Sequence, residues 1–259
     1  MTNDPIIVTA ATGGIGSSVA KELASRGHSL ILAVRNLDKA RLLAAELLKL
    51  GAKDVRSIHF DFEDSTTIQA ISNLVSSCKG LVLCPPRIQP TADPLPENEK
   101  WLKVYNQIFL QPLGLIKAIV PALIHHASDS DNRASVVLIS GISSKQAMGN
   151  YAINNSIRAG WQAQIKTLAN SFGPSGVAFN SVSLGGVLTA AYREKIEAKS
   201  VRVGHTFEEQ MELEVSNVPL RRYAQPDDVG KAVTDVLLSM SIHMTGQNIV
   251  LDGGFIQTY

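Results

Sequence analysis

Four side chains able to donate protons or hydrogen bonds fall close together in the chain: Ser140, Tyr151, Asn154 and Arg158. A tyrosine hydroxyl can donate a proton, an asparagine amide can only form hydrogen bonds, and an arginine stays protonated. Asn154 could therefore polarise a carbonyl group or stabilise an oxyanion, while Arg158 supplies a fixed positive charge. Tyr151 lies about one helical turn before Asn154 and is a candidate proton donor. The alternative is that Tyr151 only packs near the site.

A glycine-rich turn follows the first apolar run of the chain. Residues 9–16 read TAATGGIG, between the apolar stretch 5–9 and a helical stretch at 17–26. Glycines allow the backbone to approach a pyrophosphate, and the free N–H groups of a helix N-terminus attract it. We expect contacts to a nucleotide from Thr9, Thr12, Gly13, Gly14, Ile15 and Gly16. An ordinary glycine turn is the competing interpretation, and the strand–turn–helix placement argues against it.

The ends of the second and third strands also favour a nucleotide. An acidic residue after the second strand would bind the ribose hydroxyls of NAD, but Arg35 and Asn36 stand there. The planar fork of Arg35 suits the 2′-phosphate of NADPH, so the sequence favours NADPH over NADH. A solvated surface arginine is the alternative. Asp61 and Phe62 follow the third strand and are candidates for contact with adenine, although Asp61 could instead belong to a helix cap.

Bulk composition excludes several classes of protein. The chain has 259 residues, 45% of them hydrophobic, and a net charge of +1, so it can bury a core and shows no sign of binding nucleic acid. We expect no membrane segment, because no apolar run looks long enough, and no signal peptide. Two cysteines form no disulfide framework, and no group of residues has metal-ligand spacing. These features predict a cytoplasmic protein.

Short apolar runs alternate with helical stretches along the whole chain. The pattern is typical of a doubly wound α/β fold, a Rossmann-type parallel sheet with helices on both faces, formed as one domain over residues 1–259. Strands are predicted at 5–9, 29–34, 55–60, 80–84, 135–140, 177–182 and 248–251. Helices are predicted at 17–26, 38–50, 66–78, 100–125, 154–172 and 227–240.

These motifs together resemble the short-chain dehydrogenase/reductase family, most strongly its β-ketoacyl-ACP reductase-like group. The resemblance covers nearly the whole chain and includes the TGxxxGxG turn, with Ala10 in place of the first glycine. It also includes the later segments GGVLT at 185–189, PLRR at 219–222 and TGQ at 245–247. The resemblance implies an oxidoreductase that binds a nicotinamide nucleotide, with Thr189 among the nucleotide contacts, and self-association as a homotetramer.

The four catalytic positions depart from the pattern of that family, which has Asn, Ser, Tyr and Lys. The spacing of the segments that follow places Ile108, Gly141, Asn154 and Arg158 at these positions. A YxxxK reading of Tyr151 would end on Asn155 and breaks that spacing. Ser140 is one residue early for the missing serine, and Ser143 and Ser144 are slightly late. Such a divergent branch implies altered chemistry.

Two further segments depart from the family. Cys84-Pro85-Pro86-Arg87 stands where the family has NNAG, so the wall beside the nicotinamide ribose must be built differently. Cys84 is interpreted as a small packed residue at the nucleotide site, because it has no partner base. Residues 190–218 form an insertion expected to cover a small-molecule substrate.

Two functions remain open from the sequence. The first is an NADPH-dependent reductase of a carbonyl or conjugated enone, in which Asn154 and Arg158 act without a proton relay. The second is a catalytically inactive nucleotide-binding pseudoenzyme or scaffold.

Overall fold

The computed structural model of the chain describes residues 4–91, 93–128 and 132–258. Its strands are β1 (Ile6–Thr9), β2 (Leu30–Val34), β3 (Val55–His59), β4 (Gly80–Leu83), β5 (Ala134–Gly141), β6 (Val177–Leu184) and β7 (Asn248–Leu251). Its helices are α1 (Gly14–Ser25), α2 (Leu37–Leu50), α3 (Thr66–Leu74), α4 (Asn98–Tyr105), α5 (Gln111–Ala127), α6 (Ala152–Phe172), α7 (Ala190–Val203), α8 (Phe207–Glu214) and α9 (Pro226–Leu238).

The seven strands form one sheet in the order β3-β2-β1-β4-β5-β6-β7, and all neighbouring strands are parallel. The strand order reverses between β1 and β4, which is where a doubly wound sheet opens a crevice at the carboxyl ends of its strands. The predicted doubly wound fold is therefore confirmed.

Helices cover both faces of the sheet. Leu115, Ile119 and Leu123 of α5 pack in one core layer, together with residues of α3 and α6. The other layer holds Leu23 of α1 and Val233 of α9, together with residues of α2. Because both faces are buried, β1, β2 and β4 are entirely buried and read as continuous apolar runs rather than alternating ones.

Local signals set the bounds of α2. The Asn36 side chain accepts a hydrogen bond from the backbone N–H of Lys39, and Gly51 ends the helix with a φ of 114°. This end was predicted correctly, since glycine adopts the left-handed conformation without strain. The first helix begins at Gly14, three residues earlier than predicted, and α3 ends at Leu74 instead of continuing to Cys78.

Residues Asn98–Ala127 form one continuous helix of 30 residues. By length and composition alone, this helix is long and apolar enough to cross a membrane. The expectation that no apolar run is long enough was therefore wrong. Half of the most apolar 18-residue segment of this helix is buried inside the fold, as expected for a core helix.

A π-helical turn, Asn106–Leu110, joins α4 to α5. Pro112 has no N–H and leaves the carbonyl of Ile108 without its helical donor. The indole N–H of Trp161 donates to that carbonyl at 2.9 Å. The bond from Trp161 thus ties the π turn that precedes α5 to helix α6.

Candidate active site

A cleft of about 410 Å³ opens at the carboxyl ends of β4, β5 and β6. Its walls combine apolar residues with a few polar groups, the usual composition of a small-molecule site. Candidate nucleotide-binding and catalytic positions from the sequence line it together: Ile15, Ile108, Ser140, Gly141, Tyr151, Asn154, Arg158 and Thr189. The structure therefore gathers the candidate catalytic residues in one place.

The guanidinium group of Arg158 lies directly against the backbone of Gly141. A Cβ atom placed on Gly141 would lie 2.5 Å from Nη1 of Arg158, far inside contact distance. The φ of Gly141 is −146°, a conformation open to any residue, so space alone restricts this position. Nη1 also donates to the hydroxyl of Ser143 at 3.1 Å. Arg158 thus occupies the volume that a side chain at position 141 would fill.

Arg158 brings an uncompensated positive charge into the cleft. Within the described ranges it makes no ion pair. Burial lowers the pKa of the guanidinium, the neighbouring Tyr151 opposes that effect, and the positive charge of Arg87 lowers the pKa further. An arginine nevertheless keeps its proton at neutral pH, so the cleft presents a fixed cation.

Asn154 leaves a hydrogen-bonding atom without a partner. Its side chain is 1% exposed and its Nδ2 donates to the carbonyl of Ile88 at 3.3 Å. Its Oδ1, like the Oγ of Ser140, is buried and has no partner among the described residues. Buried polar atoms are costly to leave unpaired, so both fit a site that a ligand completes.

Tyr151 lies just outside the helix that carries the other candidates. Tyr151 is about one helical turn before Asn154 in the sequence, but helix α6 begins at Ala152. Tyr151 is therefore the N-cap residue and does not lie on a helical face with Asn154. A parallel β-bridge with Thr91 holds its backbone, and its ring still lines the cleft. The phenol therefore remains within reach of the site through the loop and not through the helix.

The loop between β1 and α1 has the features of a nucleotide cradle. A Cβ on Gly14 would lie 2.9 Å from Cγ2 of Thr189, and one on Gly16 would lie 2.4 Å from the carbonyl oxygen of Ala10. Ala10, in place of the usual glycine, has a φ of 48°, the left-handed conformation that glycine adopts without cost. The N-cap residue of α1 is Gly13, which has no side chain to cap the helix. The cradle is thus tight and open to an anion.

Several predicted nucleotide contacts have their side chains engaged elsewhere. Thr9 is fully buried, and its hydroxyl accepts a hydrogen bond from the N–H of Cys84 at 2.8 Å. Asn36 caps α2, and Phe62 packs edge-on against Phe60 in the core. Asp61 accepts the N–H of Glu63. Each of these side chains thus makes a contact within the protein in this structure.

Cys84 is buried, and burial raises the pKa of its thiol to about 12. A thiol that stays protonated is a poor nucleophile, which agrees with its interpretation as a packed residue.

Other cleft residues were missed by sequence reasoning. Ser143 was judged too late in the chain, yet the 3₁₀ turn Ile142–Ser144 places its hydroxyl on Arg158. Arg87 and Tyr192 line the cleft, with the guanidinium 5.9 Å from the ring centroid. The only local signal for Arg87 was its position directly after two prolines.

The contact between Gly141 and Arg158 predicts a strong coupling between the two positions. Gly141→Ser should destabilise the protein by about 1–2 kcal/mol, because the new side chain displaces the guanidinium from Ser143. In an Arg158→Ala background the same change should cost less than about 0.5 kcal/mol. Urea unfolding of the four proteins measures this coupling.

Gly149 offers a matched control, since a Cβ there meets nothing within 4 Å. Gly149→Ser should change stability by less than about 0.5 kcal/mol. Additive effects of Gly141→Ser and Arg158→Ala would show that the two residues do not share this space.

The chain matches known proteins over nearly its full length. Residues 9–256 match the family described as "Enoyl-(Acyl carrier protein) reductase". The chain is 25% identical over 261 residues to a 3-oxoacyl-[acyl-carrier-protein] reductase of Rickettsia bellii, covering 99% of this chain and 98% of that protein.

Solved structures of oxidoreductases have the same fold. L-sorbose reductase from Gluconobacter frateurii, complexed with NADPH and L-sorbose, superposes with a TM-score of 0.91 at 18% identity, covering 99% of this chain and 97% of that one. A short-chain oxidoreductase from Pseudomonas aeruginosa PAO1, described as containing an atypical catalytic center, gives 0.88 at 20% identity, covering 99% and 98%. On its sequence match and its fold, the chain belongs to the short-chain dehydrogenase/reductase family of oxidoreductases.

Proposed function

We propose that the protein is an NADPH-dependent reductase that acts on a conjugated or otherwise activated carbonyl compound. The observation that carries the proposal is the fixed positive charge of Arg158, which lines the cleft beside Gly141 and has no acidic partner among the described residues. A developing oxyanion is stabilised by a preorganised cation that needs no rearrangement during the reaction.

The described residues fit a dinucleotide along the crevice. The tight Gly14–Gly16 turn and the uncapped N-terminus of α1 suit a pyrophosphate. Arg158 would hold the nicotinamide ribose, and Thr189, in contact distance of Gly14, would close over the same end. The unpaired Oδ1 of Asn154 and Oγ of Ser140 offer further bonds near the reacting groups.

The preference for NADPH rests on Arg35. This residue is exposed directly after β2 and makes no ion pair in the described part of the chain. A free guanidinium at this strand end suits a 2′-phosphate, while no acidic side chain follows β2 to bind ribose hydroxyls. The Gluconobacter and Pseudomonas structures with NADPH bound share the fold and support the preference.

The residues of the cleft would handle charge without relaying a proton. When bound, the reduced nicotinamide supplies a hydride. Arg158 and the second N–H of the Asn154 amide would stabilise the oxyanion, since neither group changes its protonation near neutral pH. Reduction of an ordinary ketone needs a proton on oxygen and would be slow. A conjugated enone forms an enolate that solvent can protonate on carbon.

We further propose that the protein acts in the cytoplasm as a homotetramer. Exposed apolar side chains on the continuous helix of α4 and α5, Leu102, Tyr105 and Leu110, support self-association through that face.

Arg35→Ala tests the preference between nucleotides. The change should weaken NADPH binding by about 1–3 kcal/mol and leave NADH binding nearly unchanged, because only NADPH carries the 2′-phosphate. Calorimetric titration with both nucleotides measures the difference. Arg41→Ala is the control, since Arg41 is exposed on α2 and paired with Asp38 at 2.9 Å. Equal losses for NADPH and NADH would contradict the assignment.

Tyr151→Phe tests the absence of a side-chain proton relay. Turnover of a conjugated carbonyl should survive the change, because solvent provides the proton. A loss of about two orders of magnitude or more, the scale of a missing general acid, would identify Tyr151 as a displaced acid. If NADPH binds but no compound in a panel of enones and ketones is reduced, the pseudoenzyme hypothesis is correct instead.

A further inference from the structure

The charges that line the cleft are out of balance. Two arginines, Arg87 and Arg158, face it, and Asp252 is the only carboxylate among the described residues that line it. Both oxygens of Asp252 are engaged, since they accept the backbone N–H groups of Gly254 and Ile256 at 2.8 Å. The cleft therefore holds more positive charge than its own acidic groups neutralise.

Arg87 sits on a stiff segment and makes no ion pair among the described residues. Pro85 and Pro86 precede it directly and restrict the backbone of the loop after β4. Its guanidinium lies 5.9 Å from the ring centroid of Tyr192 on the covering helix α7. This distance is at the outer limit of a cation–π contact, which leaves the hydrogen-bond donors of the guanidinium free.

The sheet order separates Arg87 from the expected site of the nucleotide's 2′-phosphate. Arg35 follows β2, on the far side of β1, whereas Arg87 and the cleft lie on the β4–β5 side. Arg158 is already assigned to the nicotinamide ribose and the oxyanion. Arg87 and Arg158 line the same cleft, so an anion held by Arg87 would share that cleft with the reacting carbonyl.

We propose that the substrate is a small conjugated carbonyl compound that carries a carboxylate, and that Arg87 binds this carboxylate. The proposal rests on the reductase function proposed above and names its substrate class. The remaining walls, which include Ile88, Ile142 and Phe255, suit an apolar body between the carboxylate and the carbonyl. The planar fork of Arg87 matches a carboxylate in a two-bond contact.

Binding to the NADP⁺-saturated protein tests this proposal without requiring turnover. The probes are a cyclohexenone that carries an acetate side chain and its methyl ester, titrated by calorimetry. The wild-type protein should bind the acid at least about tenfold more tightly than the ester. Arg87→Gln should weaken binding of the acid by about 10- to 100-fold and leave binding of the ester and of NADP⁺ unchanged. Arg87→Lys should fall between, because it keeps the charge and loses the fork.

Arg133→Gln is the matched control. Arg133 is exposed and directly precedes β5, at the amino-terminal end of the strand, whereas the cleft lies at its carboxyl end. This variant should bind both probes like the wild type. Crotonyl-coenzyme A tests whether the anion is instead a phosphate of an acyl carrier. The carboxylate assignment would be overturned if Arg87→Gln weakened binding of this thioester and left binding of the acid unaffected. Equal binding of the acid and the ester to the wild type would also overturn it.

The outcome separates the two proposals. If the acid binds through Arg87 but NADPH added with it is never oxidised, Arg87 still binds a carboxylate and the reductase function fails. If the ester is bound and reduced as well as the acid, the reductase function stands and the inference fails.

Discussion

The contact between the Arg158 guanidinium and the Gly141 backbone is the constraint on which the site depends. A Cβ atom at position 141 would collide with Nη1 of Arg158 at 2.5 Å. The guanidinium can therefore occupy this place only when residue 141 is a glycine. The Arg158 guanidinium donates to Ser143 and has no acidic neighbour in the described part of the chain, so the arginine keeps charge available for a ligand. A site built around such a cation favours reactions that develop negative charge over those that need a proton delivered.

The fold brings this cation to a crevice. Parallel strands end at the same edge of the sheet, so the loops after β4, β5 and β6 meet there. The reversal of strand order between β1 and β4 opens the crevice at that point. The bond from Trp161 to the carbonyl freed by Pro112 fixes α5 against α6, the helix that carries Asn154 and Arg158. The cleft is thus positioned by the same packing that stabilises the fold.

Much of the fold could be predicted because its signals are local. Short apolar strands and Gly51 at the end of α2 marked the elements, and the spacing of later motifs placed Asn154 and Arg158 at the same site. The partners of these residues could not be predicted. Ser143 reaches Arg158 only because a 3₁₀ turn redirects the chain after β5, and Arg87 reaches the cleft through a loop shaped by prolines. The segment Asn98–Ala127 was predicted as one long helix, but its length and apolar character were underestimated.

The central claim is that this cleft stabilises charge without titrating a side chain. Single-turnover oxidation of NADPH by a reducible conjugated carbonyl, followed by stopped-flow absorbance across pH, tests it most directly. Neither Asn154 nor Arg158 changes protonation between about pH 6 and about pH 9. We therefore expect the hydride-transfer rate constant to stay within about twofold over this range. A rate constant that falls about tenfold per pH unit beyond a break in that range would reveal a titrating acid and contradict the account.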